Sequence, residues 1–329
     1  MNARSIPKYG DLPRDEHDLY PNAWGVFGSD DQLGTLNHLT PARVLHALSS
    51  VKTGRVINLN LLLDFFNPPL IAHRGIPKHE IFGLNEFHRD DRIDNFFPQA
   101  GTQIDGLRHF ANPDKGFYNG FDGADLVEGK LNLGIQMVAQ KGISGRGLLV
   151  DVAAYRASVG REIDQASNEQ ITVEDLEATL TLQSSEILPG DILLVRTGWL
   201  SAVRSGAVEL TSPVTSPGLA QSESIAEWLW NNQVSMAAAD NVALEAWPAD
   251  RETIRTRAED EGRLERSNHT GMLHRVLIPL LGLTIGELWD LDELAEACHE
   301  RGAFDFLLTA EPINMPGGVG SPANALAII

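Results

Sequence analysis

Ile192-Leu193-Leu194-Val195-Arg196 is a short apolar run closed by a charge, set between Gly190-Asp191 and Thr197-Gly198. It is too short for a stable helix and is bounded by turn residues, so it reads as a strand buried on both faces. Leu148–Val152 and Val234–Ala239 have the same character, and helical spacing occupies Val173–Leu182 and Ser222–Trp230 between them. Further out, Arg55–Phe66 alternates and is expected as a strand, while Thr40-Pro41 reads as the N-cap and first residue of a helix. Asp290 with Glu293 resembles a capping box for a helix over Leu291–His299 that stops at Gly302, and Phe304–Leu308 follows as a last strand. Strands and helices mix without strict βαβ alternation. The expectation is one α/β domain with a mixed sheet over residues 1–329, around which residues 1–40 wrap as an extension.

The 329 residues carry 26 Lys plus Arg against 45 Asp plus Glu, a net charge of -19 that repels phosphate backbones and anionic membranes. Nucleic acid and membrane are therefore not expected partners; a small molecule is. A single cysteine, Cys298, excludes an internal disulfide and any multi-thiolate metal site. The stretch Val276–Trp289 is broken by Pro279, Gly282, Gly286 and Glu287 and is too short to span a bilayer, which needs roughly 20 apolar residues. The first twenty residues are acidic and lack an apolar core, so a soluble, cytoplasmic protein is expected.

Familiar catalytic motifs fail. Gly142-Ile143-Ser144-Gly145-Arg146 ends in Arg where a serine-hydrolase elbow needs Gly. His79-Glu80 lacks the second His of a zincin helix, and Gly318-Val319-Gly320-Ser321-Pro322-Ala323 has too few residues after it for a dinucleotide-binding unit.

The densest polar cluster in apolar surroundings is Phe96-Phe97-Pro98-Gln99-Ala100-Gly101-Thr102-Gln103-Ile104-Asp105-Gly106-Leu107-Arg108-His109-Phe110. Gln99, Gln103, Asp105 and His109 are all odd-numbered, so an extended chain points them to one face. At about 3.3 Å per residue Gln99 and Gln103 would still stand ~13 Å apart on a straight strand. Sharing an ion therefore requires a bend near Gly101 or a turn, whereas Gln103 and Asp105 need no special geometry.

This segment resembles the signature of the cyclase / metal-dependent hydrolase family that includes bacterial kynurenine formamidase, written His-x-Gly-Thr-His-x-Asp-x-Pro-x-His. Gly101, Thr102, Asp105 and His109 match in register, both metal-binding His positions are Gln (Gln99 and Gln103), and the Pro position is Leu107. The Gln-x-x-x-Gln-x-Asp-x-x-x-His form is similar to the branch that includes trans-dienelactone hydrolase. Gly147–Asp151, Gly190–Trp199, Asp240-Asn241 and Gly320-Ser321-Pro322 also fit, so the resemblance covers nearly the whole chain. It implies a swivelling β/β/α architecture with a β-barrel-like core flanked by helices, and a homo-oligomer, dimer or tetramer.

The resemblance also implies a late His and Glu that complete the metal site. His274 and Glu287 fill these places, with His269 as a competitor for the first. A charge such as Glu287 inside an apolar segment is costly without a cation or donors. Asp105, His274 and Glu287 offer donors suited to zinc first and manganese second, with one or two ions. Amide oxygens at Gln99 and Gln103 are weaker, neutral donors, which puts a binuclear centre in question. His109 is then the general base toward a metal-activated water. Arg108 and Tyr118 are candidates to orient the substrate. The function expected is hydrolysis of a small, dienelactone-like lactone. An arylformamidase or cyclic-imide amidohydrolase is the alternative, and a catalytically silent fold member that binds a small acid or serves as a structural subunit is a different class.

Overall fold

Four apolar runs lie side by side in parallel and form the middle of one mixed sheet. In the computed structural model, which describes residues 6–210 and 214–329, the sheet has nine strands. In chain order these are β1 (Val56–Asn58), β2 (Gln103–Asp105), β3 (Ile143–Asp151), β4 (Ile192–Arg196), β5 (Met236–Ala239), β6 (Thr284–Glu287), β7 (Asp305–Ala310), β8 (Gly320–Pro322) and β9 (Leu326–Ile328). Their order across the sheet is β1-β9-β7-β3-β4-β5-β6-β2-β8. Only β3-β4-β5-β6 pair in parallel, and the flanking strands are antiparallel. The sheet curls into a half-barrel, so the expected α/β class with a mixed, barrel-like core holds.

Burial explains the central strands. Leu148, Leu149, Val150, Ile192, Leu193, Leu194 and Val195 are fully buried, as a parallel strand covered on both faces requires. The helix Val173–Leu182 starts with a capping box, in which Thr172 accepts from Asp175 N–H and Asp175 accepts from Thr172 N–H. It packs against the helices Glu223–Asn231 and Val152–Ser158. Thr40 caps Pro41–Ala47 as its sequence predicts, accepting from Arg43 N–H. Trp24 Nε1–H donates to the Pro279 carbonyl at 2.7 Å and Trp230 Nε1–H to that of Pro7 at 2.9 Å, which tie the N-terminal segment to the core; residues 1–5 of the expected extension lie outside the described residues.

Two expectations are corrected, and one element is new. The strand expected over Arg55–Phe66 ends at Asn58, because Asn60 turns the chain by binding the Ala325 carbonyl through its side chain. Asp290 and Glu293 form no capping box. Leu291 is the N-cap of Asp292–Arg301, and Asp290 pairs with Arg204 instead. A hairpin of Lys78–Asn85 and His88–Asp94, unmarked by any two-residue turn signature, projects from the body with every residue exposed. No helix among the described residues is long and apolar enough to cross a membrane.

Candidate metal centre

The C-terminal edge of the parallel strands is where open α/β sheets present ligand-binding groups. Here β6 ends on Glu287, and the antiparallel β2 places Gln103 opposite Glu287 and Asp105 opposite Ile285. Gln103 Nε2 donates to Glu287 Oε2 at 2.5 Å, and Trp289 Nε1–H holds the Gln103 carbonyl at 3.0 Å. Gln99 lies in a turn, not on the strand. That turn is pinned by Thr102, whose Oγ1 donates to the Leu288 carbonyl at 2.6 Å and accepts from Leu61 N–H at 2.9 Å. The fold-back delivers Gln99 Nε2 to Asp105 Oδ1 and to 3.3 Å from His109 Nδ1. A glycine at 320 makes room: a Cβ there would stand 2.8 Å from Gln99 Cγ and from the Ile104 carbonyl oxygen.

His274 opens the short helix His274–Leu277, and carboxylates hold both of its ring nitrogens. Nδ1 is 2.6 Å from Glu245 Oε1 and Nε2 is 3.2 Å from Glu287 Oε1. Burial opposes a charge on this imidazole, but the two carboxylates overcome it and raise its pKa to about 10. Glu287 answers in the opposite direction: burial pushes its carboxyl up, yet the His274 hydrogen bond and charge bring it below the ordinary range. Asp105 is raised, first by complete burial and then by the charge of Glu287, against the opposing pull of His109. Its Oδ2 is buried with no hydrogen-bond partner. Ligand atoms of Asp105, His109 and His274 lie within 4.8 Å of one another. His109 Nε2 stands 3.9 Å from Asp105 Oδ1, and its side chain is 21% exposed whereas that of Asp105 is wholly buried. Phe110 packs edge-on against the rings of His109 and His274, each at 5.2 Å, and His269 lies on it at 5.5 Å, outside the cluster.

The structure thus brings Gln99, Gln103, Asp105, His109, His274 and Glu287 to one place. It does not bring Arg108 or Tyr118. The Arg108 guanidinium donates to the carbonyls of Val127 and Lys130, each at 2.8 Å, and so staples a loop. Tyr118 is fully buried and donates to Asp31 Oδ2 at 3.0 Å. Arg108 is buried with both terminal nitrogens bound to that loop, and the one hydroxyl proton of Tyr118 is spent on Asp31, so the hydrogen bonds seen at both residues are structural.

Two residues at the site went unread. Glu245 accepts from the N–H groups of Leu273 and His274 as well as from the ring, which orients the imidazole. Like Glu287 it is a lone carboxylate in an apolar stretch, so the same argument could have found it. Ala243 and Leu244 before it, and Leu288 after Glu287, have φ of 72°, 61° and 57°. Left-handed non-glycine residues cost about 1–2 kcal/mol each and gather where a site needs them. Arg74 is the second, and nothing in its loop of Pro and Gly announced it.

A curled mixed sheet with a buried carboxylate–imidazole cluster at its strand ends is a type of α/β domain whose clustered donors could hold a metal ion. The chain belongs to the cyclase family: the family model described as "Putative cyclase" matches residues 39–246. A crystal structure described as a novel cyclase is 31% identical over 94% of this chain and 99% of its own, with a TM-score of 0.77. Isatin hydrolase A from Labrenzia aggregata, solved with benzyl benzoate, shares the fold at 16% identity, covering 87% of this chain and 98% of its own with a TM-score of 0.56. Isatin hydrolase A from Ralstonia solanacearum does so at 17%, covering 88% and 97%, with a TM-score of 0.53. No curated protein matches the sequence.

Proposed function

We propose that this chain is a metal-dependent hydrolase that opens a small cyclic carbonyl compound, a lactone in the first place. The observation that carries the proposal is the buried, unpartnered Oδ2 of Asp105, on a carboxylate that clusters with the imidazoles of His109 and His274. A buried polar atom left unsatisfied costs about 1–3 kcal/mol, more when charged, and a cation relieves that cost. Asp105, His274 through Nε2, and Glu287 would hold a divalent ion, with the amide oxygens of Gln99 and Gln103 as neutral additions. Such donors suit zinc first and manganese second, and two amides in place of imidazoles favour a single ion. The ion supplies carbonyl polarisation and a water of lowered pKa.

The chain's own residues do the rest. Glu245 holds His274 by Nδ1, so that Nε2 faces the site, and the proton that His274 carries in the ion-free protein is the one an ion displaces. His109, at the exposed rim, accepts a proton from the attacking water and returns it to the leaving atom. A second reading, cleavage of a C–N bond in a cyclic imide, an amide or an aryl formamide, draws support from the isatin hydrolases that share the fold.

A hydrolysis screen over lactones, formamides and cyclic imides, with added Mn²⁺ or Zn²⁺, tests the proposal. Ion-dependent ring opening, fastest on lactones, is the expected result. Retention of no stoichiometric ion together with no cleavage of any ester or amide would sink it. Glu245→Gln is expected to weaken ion affinity by about 10–100-fold in a chelator competition, because the imidazole loses its orienting carboxylate.

A further inference from the structure

Arg74 sits beside this centre with the N–H donors of Nε and Nη2 unused. Its loop is tied down on both sides: Arg74 N–H donates to the Ile71 carbonyl at 2.9 Å, and Asn95 Nδ2 donates to the Ile76 carbonyl at 3.0 Å. Between them Gly75 is pressed so close to Asn95 that a Cβ would stand 1.9 Å from its Nδ2. The half-buried guanidinium is therefore carried to a fixed place. One terminal nitrogen, Nη1, donates to the Gln99 carbonyl and lies 3.5 Å from Gln103 Oε1. Its charge is felt at Glu287, which it helps to keep ionised. Among the described residues Nε and Nη2 have no hydrogen-bond partner, and no carboxylate lies within 4.0 Å of the group.

An arginine whose charge reaches the buried Glu287, yet which forms an ion pair with no carboxylate, holds an uncommitted positive charge. Nε and Nη2 form the edge of the guanidinium that accepts a planar carboxylate in two parallel hydrogen bonds. The chain around it has a net charge of -19, so an anion reaches the centre only where a local cation reverses the field.

We propose that Arg74 is the anion anchor of this site, and that the substrate is a ring carrying a carboxylate, which the free edge of Arg74 grips while the reacting carbonyl lies over Asp105 and His274. The substrate class rests on the hydrolase reading; the anchor itself does not.

The test uses calorimetric titration of benzoate, and of the neutral benzamide, into wild type, Arg74→Met and Arg74→Lys, each with Mn²⁺ and each metal-free. Benzoate is expected to bind wild type in both states, to weaken about tenfold or more in Arg74→Met, and to recover partly in Arg74→Lys. Benzamide binding and retained Mn²⁺ are expected to stay the same. Unchanged benzoate affinity in Arg74→Met, or no saturable benzoate binding to wild type, overturns the anchor. Equal weakening of both probes, or loss of Mn²⁺ in Arg74→Met, also overturns it and leaves Arg74 as a brace for the Gln99 turn. Should wild type itself hold no Mn²⁺, the hydrolase reading fails, while the metal-free titration still decides on Arg74.

Discussion

Asp105→Ala is expected to fold, to retain no divalent ion and to hydrolyse nothing, while its metal-free form melts no lower than wild type. A buried carboxylate with an unserved oxygen is costly to hold. Asp105 is wholly buried on β2, Gln99 serves its Oδ1, and nothing serves its Oδ2. Burial has raised its pKa, so in the ion-free protein the folded state disfavours the carboxylate relative to the unfolded chain. A side chain held in that condition opposes folding by about 1–3 kcal/mol unless an ion is present. Removing it relieves the cost, whereas removing an ordinary buried aspartate that caps a helix or closes an ion pair lowers stability. With ion at about 100 times its Kd, wild type gains about 2.7 kcal/mol of linked stability and Asp105→Ala gains none. Melting curves with and without chelator, alongside metal content per chain, read both halves. A variant that still holds the ion, or that melts well below wild type in chelator, would contradict the role given to Asp105.

The two glutamines show how such a centre is kept folded without an ion. Gln99 donates to Asp105 and Gln103 to Glu287, so each carboxylate meets an amide N–H that water would otherwise supply. An imidazole at either place would bring a second basic ligand; an amide brings a neutral group that can offer either N–H or C=O. That is the physical reason to expect one ion.

Much of this was legible in the chain because apolar runs and odd-numbered polar residues carry it. Ile192–Arg196 and Val173–Leu182 form the elements their patterns predict, residue for residue. Asp105 and His109 stand where a shared signature puts them, and the same resemblance points to Glu287, whose place in an apolar segment argues against a plain surface charge. A straight strand would hold Gln99 and Gln103 about 13 Å apart, and the turn that Thr102 pins brings them to one centre. What stayed hidden depends on contacts between distant segments. Arg108 looked like a substrate ligand because it adjoins His109, yet its partners are the carbonyls of Val127 and Lys130, and no periodicity records them. The Arg-Thr-Gly-Trp letters after β4 are similar in kind. Asp240 accepts from Thr197 N–H at 2.7 Å and Gly198 N–H at 2.8 Å, so that part of the signature joins two strand ends. Arg74 is 29 positions from Gln103, in a loop whose course only the folded hairpin base decides.

His109→Ala is expected to keep the ion and to lose about 10²–10⁴ in kcat, the share that a positioned acid–base group contributes. Two features separate His109 from the ligands. Its ring reaches solvent, as a proton carrier needs, while Asp105 and His274 are sealed. Its Nδ1 faces the Gln99 amide, where His274 has a carboxylate at each nitrogen to fix it as a ligand. Proximity alone pulls the other way, since His109 offers a nitrogen within 4.8 Å of the ligand atoms of Asp105 and His274. Metal content decides between them. Retained ion with lost turnover, and partial rescue of kcat by added imidazole, mark a base at the rim. Loss of the ion from His109→Ala would make it a ligand beside Asp105 and His274 and overturn its role as the base.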